Sequence, residues 1–567
     1  MSSARRSTDP VNASSLGAAP AAETAAALAW WRGAVIYQIY PRSFRDTNGD
    51  GIGDLAGIVA GLDYIAGLGV DGIWISPFFT SPMRDFGYDV ADYCGIDPTF
   101  GTFADFDRII EKAHGLGLKV IIDQVYSHTS DEHDWFRESR SDRTNPKADW
   151  YVWADPKPDG SPPSNWQSVF GGSAWQWDGP RKQYYLHNFL TSQPDLNVHN
   201  RDVQDALLDV ARFWLGRGVD GFRLDALNFS MHDPELRDNP PSGLPLELVT
   251  RPFDMQAKHY NQSHPDIVAF LERIRQTIDE FPGRFTVAEV GGPEPLAEMK
   301  AFTQGGKRLD SAYNFDFLYA PQLTAPLVRA SLAQWSGESG EGWPSWAFSN
   351  HDAPRAITRW VQDGDHARAA RLNLLLLLAL RGNPIIYQGE ELGLPQGKVA
   401  FEDLLDPEAI TNWPHTLGRD GARTPMPWQA SAPQAGFSSA NRTWLKLDPA
   451  HAAFAIDRQA EDLQSSLHYT RKLLALRRQL PALVSGDITL LDTPDTMVAF
   501  VRRIAEDAVL CAFNLGNEAQ SWAPPEEFAA AQLLANESTI GNWARPPMVL
   551  APCSGYWVAN NPEPACQ

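Results

Sequence analysis

Eight short apolar segments, set apart by helix-length stretches, constrain this chain more than any other feature. They run over residues 35–40, 72–76, 120–125, 221–225, 285–290, 314–318, 346–349 and 384–387. Apolar runs of this length, alternating with helical patterns, are the signature of parallel βαβ units. Helices are expected over 103–116, 203–216, 267–280 and 366–380. Eight strands in this pattern predict the α/β class and a (β/α)8 TIM barrel, and 567 residues leave room for additions.

Two regions break the pattern. From residue 128 to about 200 the chain is rich in Trp, Pro, Gly and Asp. A structureless loop of that length is improbable inside a compact domain. A small inserted domain over 129–199, after strand 3, is the better reading, because barrel enzymes carry functional insertions at the carboxyl ends of their strands. Beyond residue 480, short strand-like runs at 488–491, 497–502, 508–514 and 556–559 predict a C-terminal antiparallel β domain over 481–567. The barrel then comprises 30–128 and 200–480, and residues 1–29 form a disordered tail.

Three of the apolar runs lead to carboxylates. Asp225 closes Gly221-Phe-Arg-Leu-Asp225, Glu289 follows Phe285-Thr-Val-Ala, and Asp352 follows Ala347-Phe-Ser-Asn-His351. Burying a carboxylate is costly without a partner or a task. Spacings of 64 and 63 residues (225 to 289, 289 to 352) place the three on separate elements that must converge in space. Arg223 lies two residues before Asp225, on the same face of a strand, where a guanidinium favours the ionised carboxylate. Apolar neighbours around Glu289 predict a raised pKa and a protonated acid.

Charge narrows the partners. With 48 basic against 70 acidic residues the net charge is −22, which disfavours nucleic acid and anionic membrane and suits a small neutral substrate. Four cysteines without a CxxC pair suggest neither a disulfide framework nor a zinc site. Residues 1–29 lack the apolar core of a secretory signal, from which a cytoplasmic location is expected. The leucine run at 374–378 is too short for a membrane span and reads as a buried helix. A monomer or small homo-oligomer is expected. The segment Asp46-Thr-Asn48-Gly-Asp50-Gly-Ile52-Gly-Asp54 alternates oxygen donors along a glycine-bent backbone, as Ca2+ prefers. Its candidate ligands are Asp46, Asn48, Asp50, Ile52 and Asp54. It is not a full EF-hand, since Gly57 stands where the closing Glu would be.

The ordered motifs together resemble the α-amylase superfamily of glycoside hydrolases (family 13), and within it the oligo-1,6-glucosidase and maltase-like α-glucosidases. They are Gln38-Ile-Tyr-Pro-Arg-Ser-Phe44, Asp123-Gln-Val-Tyr-Ser-His128, Gln193-Pro-Asp-Leu-Asn197, Gly221 to Asp225, Glu289, Asn350-His-Asp352, Tyr387-Gln-Gly-Glu-Glu-Leu-Gly393 and Arg419-Asp-Gly-Ala-Arg423-Thr-Pro-Met-Pro-Trp428. The resemblance implies Asp225 as nucleophile, Glu289 as general acid/base and Asp352 as transition-state stabiliser. That agrees with retaining chemistry, which needs two carboxyls roughly 5–5.5 Å apart. It also implies that His128 and His351 donate hydrogen bonds to the sugar, and that Arg423 and the Asp85-Phe-Gly-Tyr88 turn hold the non-reducing glucose. An Asp85–Arg423 salt bridge is expected to close the pocket to all but chain ends. The glycine-bent loop is the family's place for a structural Ca2+, sometimes Mg2+.

Two positions depart from the pattern. Ser127 stands where Asn is usual. Ala226 follows the nucleophile, and in this branch Val there goes with α-1,6 linkages, Ala or Thr with α-1,4. Maltose-type or sucrose-type substrates are therefore expected over isomaltose. Three functions compete: an exo-acting α-glucosidase or sucrose hydrolase, a glucosyltransferase using the same covalent intermediate, and an inactive scaffold of the transporter heavy-chain kind. Intact carboxylates and the lack of an anchor disfavour the last.

Overall fold

The computed structural model describes residues 29–335, 342–361, 364–416, 418–540 and 549–560. The expected tail thus lies, except for Ala29, outside the described residues. Eight parallel strands close into a barrel in sequence order: Ile36–Ile39, Gly72–Ile75, Lys119–Val125, Gly221–Asp225, Phe285–Val290, Ser311–Asn314, Trp343–Ala347 and Asn383–Tyr387. Ile36, Ile121, Phe285, Val287 and Ile385 belong to one buried cluster of strand residues. Such branched and aromatic side chains fill small barrels.

Helices surround the barrel where predicted. Phe103–Gly115 begins with a capping box between Thr102 and Asp105. Arg201–Gly216 is capped by Asn200, whose side chain accepts from the Asp202 amide. Each cap satisfies N–H groups the first turn would leave unpaired. The leucine run lies in His366–Ala379, buried along Leu374 to Leu378. Among the described residues no helix is long and apolar enough to cross a membrane.

Two strands differ from expectation. The sixth was expected at 314–318, but pairing covers Ser311–Asn314 and the chain then turns into the short helix Asp316–Tyr319. Asn314 Oδ1 accepts from the Asp316 amide at 3.2 Å, the local turn that ends the strand. The seventh was expected at 346–349, yet it starts at Trp343. Pro344 falls within it, in register with Ala312, although proline usually argues against a strand interior.

The insertion carries a small antiparallel sheet of Trp153–Ala154, Gln183–Leu186 and Trp175–Asp178, in that order. Its core holds Val152, Trp166, Ala174, Trp175 and Leu186. A single bridge from His128 to Asp195 ties it back to the barrel, and another, from Tyr151 to Leu196, lies within it. The C-terminal sheet is antiparallel and runs Asp487–Leu491, Met497–Ile504, Asp507–Asn514, Ser554–Ala559, Gln532–Asn536. The last of these strands was not predicted. Val498, Phe500, Phe513 and Trp557 of this sheet join the same apolar core as the barrel helices.

Candidate active site

Strand register assembles the site. In a parallel pair, Asp123 lies beside Arg223 and Val125 beside Asp225. On the other side Glu289 lies beside Tyr313. Because side chains alternate every second residue, Arg223 and Asp225 share a face. Arg223 is fully buried at 0% exposure and is surrounded by acids. Its Nη1 donates to Asp123 Oδ1 at 2.8 Å and to Asp225 Oδ1 at 2.6 Å. Its Nη2 lies 2.5 Å from Glu289 Oε1. Tyr313 Oη accepts from Arg223 Nη2 at 2.9 Å and donates to Glu289 Oε1 at 3.1 Å. The expected apolar setting of Glu289 is corrected: guanidinium and phenol both reach it.

Burial pushes the carboxyls of Asp225 and Glu289 above the usual carboxylate range, Asp225 strongly, while Arg223 pulls both back. Burial likewise lifts Asp123 to about 6 against Arg223. Three carboxylates around one guanidinium would carry a net charge of −2 in a desolvated site. Holding one proton on the Asp225–Glu289 pair halves that charge, and the two titrate as a unit.

Asp352 is the opposite case. Burial alone would raise it, but His351, Arg423 and Arg419 hold it well below the usual range. His351 is itself driven down to about 3 by burial, so at neutral pH the arginines carry that effect. Arg423 Nη2 donates to Asp352 Oδ1 at 2.6 Å, and its Nε donates to the His351 carbonyl at 2.7 Å.

The blind end of the pocket departs from expectation. Asp85 does not pair with Arg423. Its partner is Arg419, whose Nη2 donates to Asp85 Oδ1 at 2.8 Å and to Asp406 Oδ1 at 2.8 Å. Arg419 and Arg423 flank one short turn, Asp420–Ala422; both reach Asp352, at 3.7 and 2.6 Å, and Arg419 alone of the two pairs with Asp85. Gln193 Nε2 donates to Asp85 Oδ2 at 3.1 Å and lies 3.1 Å from His128 Nε2. Ser127, in place of the usual Asn, puts its Oγ 2.9 Å from His128 Nδ1. His128 is held neutral, near 3, by burial. Tyr88 stacks on His351 with ring centroids 5.5 Å apart, and its Oη lies 2.5 Å from His351 Nε2.

Asp85, Tyr88, His128, Asp225, Glu289, Asp352 and Arg419 line a cavity of about 610 Å³, whose wall also includes Ala226. Ala226 has φ 42° and ψ 37°, a left-handed conformation rare for a residue with a side chain. That turn aims its amide at Glu289 Oε2, 3.3 Å away. The outer wall is aromatic. Phe189 packs on Phe229 at 5.1 Å and on Phe170 at 6.1 Å, and Phe253 follows 6.5 Å beyond Phe229. Arg251 Nη1 donates to Glu408 at 2.8 Å across the mouth.

Asp123, Gln193, Tyr313, Asp406, Arg419 and the phenylalanines were not singled out as site residues from sequence. Asp123, Gln193 and Arg419 lay within recognised motifs, which was the available signal. The phenylalanines sit on scattered loops with no periodicity.

The glycine-bent loop lies elsewhere, before helix Leu55–Ala66. Asp46 accepts from the Gly49 and Gly51 amides, both at 2.8 Å. Asp54 accepts from the Thr47 amide at 2.8 Å and caps the helix through the Gly57 amide. Gly49 and Gly51 take left-handed φ of 81° and 91°. The oxygen donors suit a hard cation chemically. As placed, Asp46, Asp50 and Asp54 do not gather as one cluster, and much of their hydrogen-bonding capacity goes to loop amides.

A closed parallel barrel with paired carboxyls at the ends of its fourth and fifth strands defines a glycoside hydrolase when read beside known proteins. Residues 38–486 match the alpha-amylase catalytic domain family. A probable alpha-glucosidase of Rhizobium meliloti is 54% identical over 498 residues, covering 86% of this chain and 90% of its own. An oligo-1,6-glucosidase of Heyndrickxia coagulans is 36% identical, covering 88% and 94%. Among solved structures, an alpha-glucosyl transfer enzyme, XgtA, superposes with a TM-score of 0.89 at 51% identity, covering 94% of this chain and all of that one. A mutant of the trehalulose synthase MutB gives 0.85 at 33% identity, covering 94% and 100%. The chain belongs to the α-amylase family of glycoside hydrolases, and its activity is of the α-glucosidase type.

Proposed function

We propose that this enzyme is a retaining, exo-acting α-glucosidase that releases α-glucose from the non-reducing end of short α-glucosides. The carrying observation is the Arg223 hub, whose guanidinium lies 2.6 Å from Asp225 Oδ1 and 2.5 Å from Glu289 Oε1 and so draws two buried carboxyls from separate strands together. In this reading a carboxylate oxygen of Asp225 attacks the anomeric carbon. Glu289 gives its proton to the glycosidic oxygen, and the aglycone leaves. Glu289, now ionised, takes a proton from water, and that water oxygen displaces Asp225 from the anomeric carbon. Asp352, kept ionised by Arg423 and Arg419, stabilises the positive charge that develops on the ring. Asp85, Tyr88, His128, His351 and Arg419 hold the terminal glucose, and the Asp85–Arg419 pair closes the pocket behind it.

Ala226 supports maltose-type or sucrose-type bonds over α-1,6 bonds. A valine would crowd the aglycone side and is disfavoured in a left-handed conformation. A second reading, transfer of glucose to an alcohol or sugar in place of water, is favoured by the aromatic outer wall, which suits an organic acceptor and excludes water. The likeness to a glucosyl transfer enzyme supports it too. The Asp46–Asp54 loop is proposed to hold one structural Ca2+ through Asp46, Asn48, Asp50, the Ile52 carbonyl and Asp54, bracing the helix that Asp54 caps.

Rates on maltose, sucrose, trehalose, isomaltose and maltotriose, with products followed by NMR, test the reading. Early α-glucose, fastest from maltose or sucrose, is expected. Initial β-glucose would refute Asp225 as nucleophile, preference for isomaltose would refute the Ala226 argument, and mostly new disaccharides would put transfer first.

A further inference from the structure

A second group of chemistry-bearing side chains lies outside the pocket. His199 stands where the chain returns from the insertion, just before the Asn200 cap. His264 and Asp266 lead into helix Ile267–Ile278. His199 Nε2 lies 2.8 Å from the His232 carbonyl. A carbonyl can only accept, so Nε2 carries the hydrogen and the neutral ring keeps its lone pair on Nδ1. Among the described residues no hydrogen bond to that Nδ1 competes for it. The His199 and His264 rings are 5.2 Å apart by centroid, at 81°. Two imidazoles on one tetrahedral zinc, with Zn–N near 2.0–2.1 Å, have centroids about 5 Å apart.

Asp266 Oδ2 is 3.7 Å from His264 Nδ1. One ligand atom from each of His199, His264 and Asp266 lies within 4.8 Å of the others. The His264 ring is partly buried, and its Nδ1 accepts from the Asp266 amide at 3.4 Å. Asp233 and Arg237, ion-paired at 2.9 Å, are the other charged groups facing it.

We propose that His199, His264 and Asp266 form a binding site for one divalent transition-metal ion, zinc by preference, with water completing the shell. Two imidazole nitrogens disfavour Ca2+ and Mg2+, so the site is chemically distinct from the Asp46–Asp54 loop. The ion fastens the end of the insertion to the end of the segment that follows the Asp225 strand. That segment carries Asn228 and Gln262 of the pocket wall, joined to each other at 3.0 Å. Ser263 N donates to the Asn228 carbonyl at 2.7 Å, and Ser263 itself holds a left-handed φ of 58° beside His264. A filled site stiffens this wall. Binding does not depend on the functional reading above; an effect on aglycone choice does.

The test is calorimetric titration of chelator-stripped full-length enzyme with zinc chloride, in wild type, His264→Gln and Asp266→Asn, with cobalt(II) absorption in parallel. The expected result is one site per chain, weakened about tenfold or more in each variant. Intense tetrahedral cobalt bands and a zinc-dependent rise in Tm should appear in wild type alone, and calcium in excess should not displace zinc. Equal zinc affinity in all three proteins, no zinc uptake by wild type, or only weak octahedral cobalt bands would overturn the proposal. Asp266 is exposed, so its variant is expected to fold even if the His264 variant does not.

Discussion

The two ends of the pocket are made of different materials. At the blind end each acid is answered by an arginine: Asp85 by Arg419, with Gln193 beside it, Asp352 by Arg423, and Asp123, Asp225 and Glu289 by Arg223. At the mouth the wall is Phe170, Phe189, Phe229 and Phe253, with half-exposed Leu244 beyond. Charge in a low-dielectric cavity fixes one sugar in one orientation and tolerates little change. An aromatic wall accepts any flat or apolar face and sets preference weakly. The difference teaches that recognition of glucose and choice of aglycone are separable.

The largest effect is expected from the shared proton. Asp225→Asn or Glu289→Gln should lower kcat on the order of 10⁴-fold or more with the fold intact, checked by steady-state rates beside circular dichroism. Next comes the blind end. Asp85→Asn or Arg419→Ala should cost on the order of a hundredfold in kcat/KM, the ~3 kcal/mol of a broken buried pair, equally for every glucoside. Losses that varied with aglycone would erase the distinction between the ends.

The pH profile sharpens the same point. Both carboxyls of the pair are raised by burial, so the singly protonated form persists above the ordinary carboxylate range. Activity falls as pH rises and that proton leaves, and falls as pH drops and a second binds. Arg223→Gln removes the group that pulls both downward, so both limbs of the residual activity should move up by about 1–3 units. Unmoved limbs would sever Arg223 from the titration.

At the mouth the effects shrink. Phe253→Ala should change the ratio of transfer to hydrolysis, or of two aglycones, by about tenfold (~1.4 kcal/mol), and leave the rate on a small-aglycone glucoside nearly unaltered. The smallest effect is expected at the Asp46–Asp54 loop, where chelation should lower Tm by a few degrees with little change in kcat. An unaltered Tm would mean that the loop's hydrogen bonds suffice without an ion.

The barrel was legible because most of its strands are apolar runs, and Asp225 and Glu289 because they stand at the ends of two of them; Asp352 follows its strand by five residues. What lay between was less so. The partner of Asp85 was read as Arg423 and is Arg419: two arginines four residues apart on one turn cannot be ranked until the fold aims them. The hub role of Arg223 was half legible. Its strand position puts it beside Asp225, but Asp123, Tyr313 and Glu289 come from neighbouring strands through register. The aromatic mouth was invisible, since its members come from the insertion and from a loop with no period. The sixth strand was displaced because Phe315, Phe317 and Leu318 look like a strand, while the Asn314–Asp316 turn ends it.

The central claim is that Asp225 forms a covalent bond to the sugar while Glu289 moves the proton. The most direct measurement is mass spectrometry of peptides after reaction with a fluorinated α-glucosyl fluoride whose glycosyl-enzyme turns over slowly. The account predicts one sugar per chain, carried on the peptide containing Asp225 and lost in Asp225→Asn. A label on the Glu289 or Asp352 peptide, or no label from an enzyme that turns over ordinary glucosides and releases β-glucose, would contradict it.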